Sequence, residues 1–150
     1  MKDLVGLCSR LGFESVRTYI QSGNVILESS LSENAVRLCL EKSLAVKMGK
    51  DIDVMVRTPE EMRLVLKRNP FGDREPAKIA VAFLHEPPAR DLLKNLIAPG
   101  GEQVQPGKRE IYVYYPNGMG RSKLKLPLNG ARATVRNMNT VAKLVAMTDI

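Results

Sequence analysis

No apolar run in this sequence approaches the roughly 18 residues of a membrane-spanning helix. Met1 is not followed by the basic and apolar regions of a secretory signal. Histidine occurs once, as His85, and cysteine twice, as Cys8 and Cys39, with no metal-ligand spacing among them. Both thiols fall at positions where helical periodicity places apolar side chains, so they read as reduced small hydrophobes. No G-x-S-x-G, P-loop or paired-carboxylate pattern is present. Asp51 and Asp53 share one face of an expected strand, which a solvated face explains as well as chemistry does. His85 closes an expected buried strand with no acid or nucleophile at motif spacing, the position of a strand-end polar residue as much as of a general base. These absences lead us to expect a cytoplasmic protein without membrane association, and to assign no catalytic residue, metal or cofactor.

Acidic residues are missing altogether between Ile111 and Thr148, a segment that holds Arg121, Lys123, Lys125, Arg132, Arg136 and Lys143. The net charge of +7 is therefore concentrated toward the C-terminus. Such a field attracts phosphates, nucleic acid or an acidic partner, although a solvated basic face has the same composition. The 150 residues suit one compact unit or two small halves, with ordinary apolar and charged fractions of 44% and 26%.

Periodicity predicts a helix over 2–12, closed by Gly12, and a hairpin with arms at 16–20 and 24–28 around Gln21-Ser22-Gly23-Asn24. Ser32 caps a helix to Met48 with Ala35, Leu38, Cys39 and Val46 inward, and Gly49 ends it. A strand is expected over 52–57. A helix led by Thr58, Pro59 and Glu61 then stops at Asn69-Pro70. The all-apolar run from Lys78 to Leu84 reads as a strand buried on both faces. Pro87 to Ile97 reads as a helix. Two arms, 103–105 and 110–115, flank P-G-K-R as a second hairpin. A helix over 122–128, a strand over 133–136 and a helix from Asn139, with Val141, Leu144 and Val145 inward, complete the chain.

The second half is then βαββαβα and the first αββαβα, the same order minus one strand. We expect an α+β protein of two ferredoxin-like βαββαβ subdomains in tandem, the first lacking its N-terminal strand. Residues 1–70 form the first, 77–150 the second and 71–76 a linker, the whole packed as one unit. The absent strand would be central, so we expect roughly 10 to 25 further residues before Met1, or a different pairing, or a homodimer that replaces the strand.

R-T-Y-I-Q-S-G-N at Arg17 to Asn24, N-P-F at Asn69 to Phe71, Y-Y-P-N-G-M-G-R-S-K-L at Tyr114 to Leu124 and T-V-R-N-M-N-T-V-A-K-L at Thr134 to Leu144 together resemble the bacterial DUF1697 family, across essentially the whole chain. The family is of unknown function. The resemblance implies a pair of ferredoxin-like subdomains and no reaction. It also implies a leading strand and a loop resembling R-G-I-N-V-G-G, which this sequence lacks.

The functional reading is anion binding. Gly118 and Gly120 allow backbone N–H groups to converge, Ser122 stands at an expected helix start, and Arg121 and Lys123 add charge. Arg136, Asn137 and Asn139 occupy a strand-to-helix turn, where Asn139 serves equally as an N-cap and Asn137 as a turn residue. Arg17, Ser22 and Asn24 on the first hairpin are further candidates for the same cleft. We expect a non-catalytic binding module for an anionic small molecule. One alternative is an enzyme acting on a phosphorylated or carboxylated small molecule, with Arg121, Lys123 and Arg136 as clamps. Another, ranked lower, is nucleic-acid binding on a platform of Tyr19, Tyr112 and Tyr114.

Overall fold

The six residues from Ile79 to Leu84 are all buried and form a strand, β3, with hydrogen-bonded neighbours on both sides. The structure is a computed structural model that describes residues 2–19, 24–88, 96, 98–124, 126 and 133–148. The chain divides into two compact units, residues 1–58 with 144–150, and residues 59–143, so 71–76 falls inside the second.

In the second unit β3 pairs antiparallel with β5 (Glu110–Tyr114) on one side and with β6 (Ala133–Asn137) on the other; β4 (Gln103–Pro106) pairs with β5. The sheet order is β4-β5-β3-β6. Taken in chain order within this unit, that is second, third, first, fourth, an order compatible with a ferredoxin-like sheet, with the unit's first strand central. Register places Ile79 opposite Tyr114 and Ala80 opposite Asn137, so β5 and β6 finish at the same end of the sheet. On one face Ala80, Ala82, Leu84, Ile111, Val113 and Tyr115 form a buried cluster. The other face carries Tyr112, whose hydroxyl donates to Val65 O at 2.8 Å and so ties α3 (Pro59–Lys67) to the sheet. Burial on both faces is what an unbroken apolar strand requires, the larger side chains Ile79, Val81, Phe83 and Leu84 each contributing about 1.5–3 kcal/mol.

Helix α3 ends before Asn69-Pro70 as expected. Asn69 Oδ1 then accepts the Phe71 N–H at 3.0 Å, and the Phe71 ring lies 5.9 Å from that of Tyr114. The helix expected over 122–128 does not begin there: a 3-10 turn occupies Met119–Arg121, and Ser122 to Leu124 and Leu126 are not helical. Residues 125 and 127–132, and most of the helix expected over 87–97, lie outside the described residues.

The first unit holds α1 (Lys2–Arg10), the hairpin β1 (Glu14–Tyr19) and β2 (Asn24–Glu28), and α2 (Glu33–Met48). A register shift between Glu14 and Arg17, with Ser15 at φ 50, marks a bulge in β1. Ser32 Oγ accepts the Ala35 N–H at 3.1 Å, and Gly49 closes α2 in the left-handed region at φ 70. The buried stripe of α2 is Val36 and Leu40, which cluster with Cys8 and Phe13. Leu38 and Val46, expected inward, are 53% and 81% exposed. This helix carries two apolar stripes, and only one can face Cys8 and Phe13.

Residues 51–58 form no strand. A strand needs a hydrogen-bonding neighbour, and the described sheet of this unit is the two-stranded hairpin alone. Glu41 of α2 holds the segment instead, Oε2 accepting the Val54 N–H at 3.0 Å. The last helix, α4 (Met138–Thr148), buries Val141 and Val145 as its spacing predicts, with Leu144 half-buried. No helix of the described residues is long and apolar enough to cross a membrane.

Candidate functional site

The glycine-rich turn begins as β5 ends. Tyr115 N donates to Lys78 O at 2.8 Å, Gly118 N to Tyr115 O at 3.0 Å, and Ser122 N to Met119 O at 3.1 Å. Gly118 sits at φ 85, ψ 146, which only glycine adopts without strain. Gly120 has neither a positive φ nor an atom within 4 Å of an added Cβ.

This turn already holds a carboxylate, and it is the chain's own. Ser122 Oγ donates to Glu102 Oε1 at 2.9 Å and accepts the Leu124 N–H at 3.1 Å. Gly100 N donates to Glu102 Oε2 at 2.7 Å, and Asn117 Nδ2 to Gly100 O at 3.4 Å. Burial alone would raise the Glu102 carboxyl. Hydrogen bonds from its own amide, from Ser122 Oγ and from the Gly100 amide outweigh that and hold it below the usual range. Burial first, and the Glu102 charge second, push the neighbouring Tyr115 phenol up. Arg121 and Lys123 are exposed at the rim.

At the end of β6, Arg136 is half-buried and its Nη1 donates to Val135 O at 2.8 Å. Burial pushes its guanidinium below the ordinary value. Asn137 Oδ1 accepts the Thr140 N–H at 2.9 Å, so Asn137 is the cap of α4 and Asn139 lies exposed in the first helical turn. The Gly118–Ser122 turn and the Arg136–Asn139 turn thus leave the same end of the sheet on opposite sides of β3, from strands roughly 10 Å apart. The bonds to Gly100 and Glu102 draw the first turn toward β4, away from β6.

On the hairpin of the first unit, Arg17 is half-buried opposite Ile26, and Asn24 is 7% exposed with Nδ2 donating to Tyr19 O at 3.2 Å. Ser22 lies outside the described residues. The aromatic platform considered for nucleic acid loses its centre, because Tyr112 is 3% exposed. Tyr114 is half-buried under Phe71, with the Arg74 guanidinium 5.2 Å from its ring centre. His85 is half-buried just beyond β3. Ser122 and Asn137 are bonded to partners within the chain, Glu102 and the Thr140 amide among them; Arg121, Lys123 and Asn139 are exposed.

Sequence reasoning missed Glu102. A lone acid beside Pro99-Gly100-Gly101 at the edge of a basic segment was its only signal.

The solved structure of a conserved bacterial protein, SP0830 from Streptococcus pneumoniae, superposes on 98% of this chain and 87% of its own length with a TM-score of 0.76 and 23% identity, a likeness of fold. No curated protein matches the chain. The model of the family described as "Protein of unknown function (DUF1697)" matches residues 1–112, ending within β5 and ahead of both basic turns. With three quarters of its length so matched, and with a mixed helix and antiparallel-sheet fold, the chain belongs to the DUF1697 family.

Proposed function

We propose that the second unit binds a compact anion at the end of the sheet where β5 and β6 finish, and that it does so as a binding module. The observation that supports this reading is the register of β3, which brings the ends of β5 and β6 to one end of the sheet. The half-buried Arg136 lies near the end of β6, the exposed Asn139 follows it, and the turn that carries the exposed Arg121 and Lys123 leaves β5 there. Of the acids near that end, Glu102 is already held by Ser122 and Gly100, while Glu75 lies 3.9 Å from Lys78 and Asp73 3.8 Å from Arg74. An anion at the rim would meet guanidinium, ammonium and amide donors, and charge-assisted hydrogen bonds are about twice as strong as neutral ones. Burial of Tyr112 weighs against base stacking and so against nucleic acid.

The test is a thermal-shift titration with pyrophosphate, citrate and a single-stranded oligonucleotide over a range of salt. A saturable rise in Tm with pyrophosphate or citrate, lost in the R121A/K123A double variant, supports the reading. A rise seen with the oligonucleotide alone, falling steeply with salt, would replace it with nucleic-acid binding.

A further inference from the structure

We infer a second ligand site at the opposite end of the same sheet: the groove between α3 and the β4–β5 turn binds a small molecule that joins one carboxylate or phosphate group to a short apolar body. The groove has a volume of about 380 Å³, at the small end of the range for ligand sites, and every residue lining it belongs to the second unit. Leu64, Arg68 and Pro70 form one wall, and Pro106, Lys108 and Arg109 the other.

Its charges are not balanced. Arg109 Nη2 meets Glu61 Oε2 at 2.6 Å, linking the hairpin turn to α3 and neutralising one cation with one acid. The other acid, Glu110, is 6% exposed, and its Oε1 accepts the Arg109 N–H at 3.3 Å. Arg68 and Lys108 are exposed, one on each wall, and neither has an ion-pair partner among the described residues. Two such cations facing a shared space attract one anionic group, which Arg68 can bind through two N–H donors and Lys108 as a point charge.

The remaining lining fixes the rest of the ligand. Leu64 is 43% exposed, and with Pro70 and Pro106 it offers apolar surface beside the cations. The floor is rigid, because the Tyr112 hydroxyl is committed to Val65 O. Gly107 has its N–H on Glu110 O at 2.7 Å, and a Cβ there would stand 3.0 Å from the Tyr112 ring, so a larger residue would have to push the ring or the turn aside. A bare inorganic anion would leave the apolar wall unused. A neutral apolar molecule would leave both cations without a partner.

The experiment is an amide chemical-shift titration of the full chain with phenyl phosphate, benzoate, inorganic phosphate and benzyl alcohol. Saturable shifts at Leu64, Arg68, Gly107 and Lys108 are expected with phenyl phosphate or benzoate. The stronger of the two identifies the anionic group. Arg68→Ala and Lys108→Ala should each weaken binding by about tenfold, the loss expected for one charge-assisted bond, while R121A/K123A leaves it unchanged. Both groove positions are exposed, so an unaltered amide spectrum elsewhere shows that the variants fold. Equal binding of benzyl alcohol, indifference to both substitutions, or shifts confined to residues 118–123 and 136–140 would overturn the second site. The last of these would leave the sheet-end reading intact.

Discussion

Ser122 Oγ donates to Glu102 Oε1 at 2.9 Å, closing the glycine-rich turn on a carboxylate from 20 residues earlier in the chain. The turn is thereby organised around a negative charge before any ligand arrives, and its cations are left at the rim.

That bond has a pH signature. The Glu102 pKa is lowered in the fold, so its contribution to stability is present above the unfolded value of 4.5 and is lost as pH falls through the folded value. Glu102→Gln should have a lower Tm than the parent at pH 7, with the gap closing as pH drops below about 4.5. Paired melting curves across that range check it. A gap that persists at low pH would mean that the charge is not what the turn recognises.

The two glycines of the turn should behave differently. Gly118→Ala forces a Cβ into the φ 85, ψ 146 conformation and should cost about 1–3 kcal/mol. Gly120→Ala meets open space and should be neutral within about 0.5 kcal/mol. Denaturant midpoints of the two variants decide the matter, and equal losses would contradict the geometry.

Tyr112 offers an alkaline counterpart. Burial, then the neighbouring Glu110 charge, push its phenol up to about 12, while Arg68 pulls it back in part. An acid whose folded pKa is raised favours the fold below its unfolded value of 10.0, and that support disappears as pH rises through about 12. Tyr112→Phe should lose about 1 kcal/mol at neutral pH with the Val65 bond, and should then soften less than the parent between pH 10 and 12. Unfolding monitored over that interval gives the answer.

In the first unit, Ser32→Ala removes the acceptor for the Ala35 N–H and should cost about 1 kcal/mol. Urea denaturation followed by circular dichroism measures it.

Much of this fold is legible residue by residue. An unbroken apolar run such as Ile79 to Leu84 has one comfortable place, the middle of a sheet covered on both faces, and caps such as Ser32 and Gly49 announce helix ends locally. What escaped depended on partners distant in sequence. The inward face of α2 is chosen by Cys8 and Phe13, so Val36 and Leu40 are buried while the equally apolar Leu38 and Val46 are not. The alternation over 52–57 has strand character, but alternation supplies no neighbour to bond with. Ser122 looks like a helix cap until Glu102 claims its hydroxyl. The candidate site was legible as charge, and its arrangement was set by the order of four strands.

The central claim is that a compact anion binds where β5 and β6 end. The most direct measurement is an amide chemical-shift titration with pyrophosphate on the full chain. The account predicts saturable shifts concentrated at Gly118 to Lys123 and Arg136 to Thr140, abolished by R121A/K123A. Shifts absent from both turns at saturating pyrophosphate, or unchanged in that variant, would contradict it.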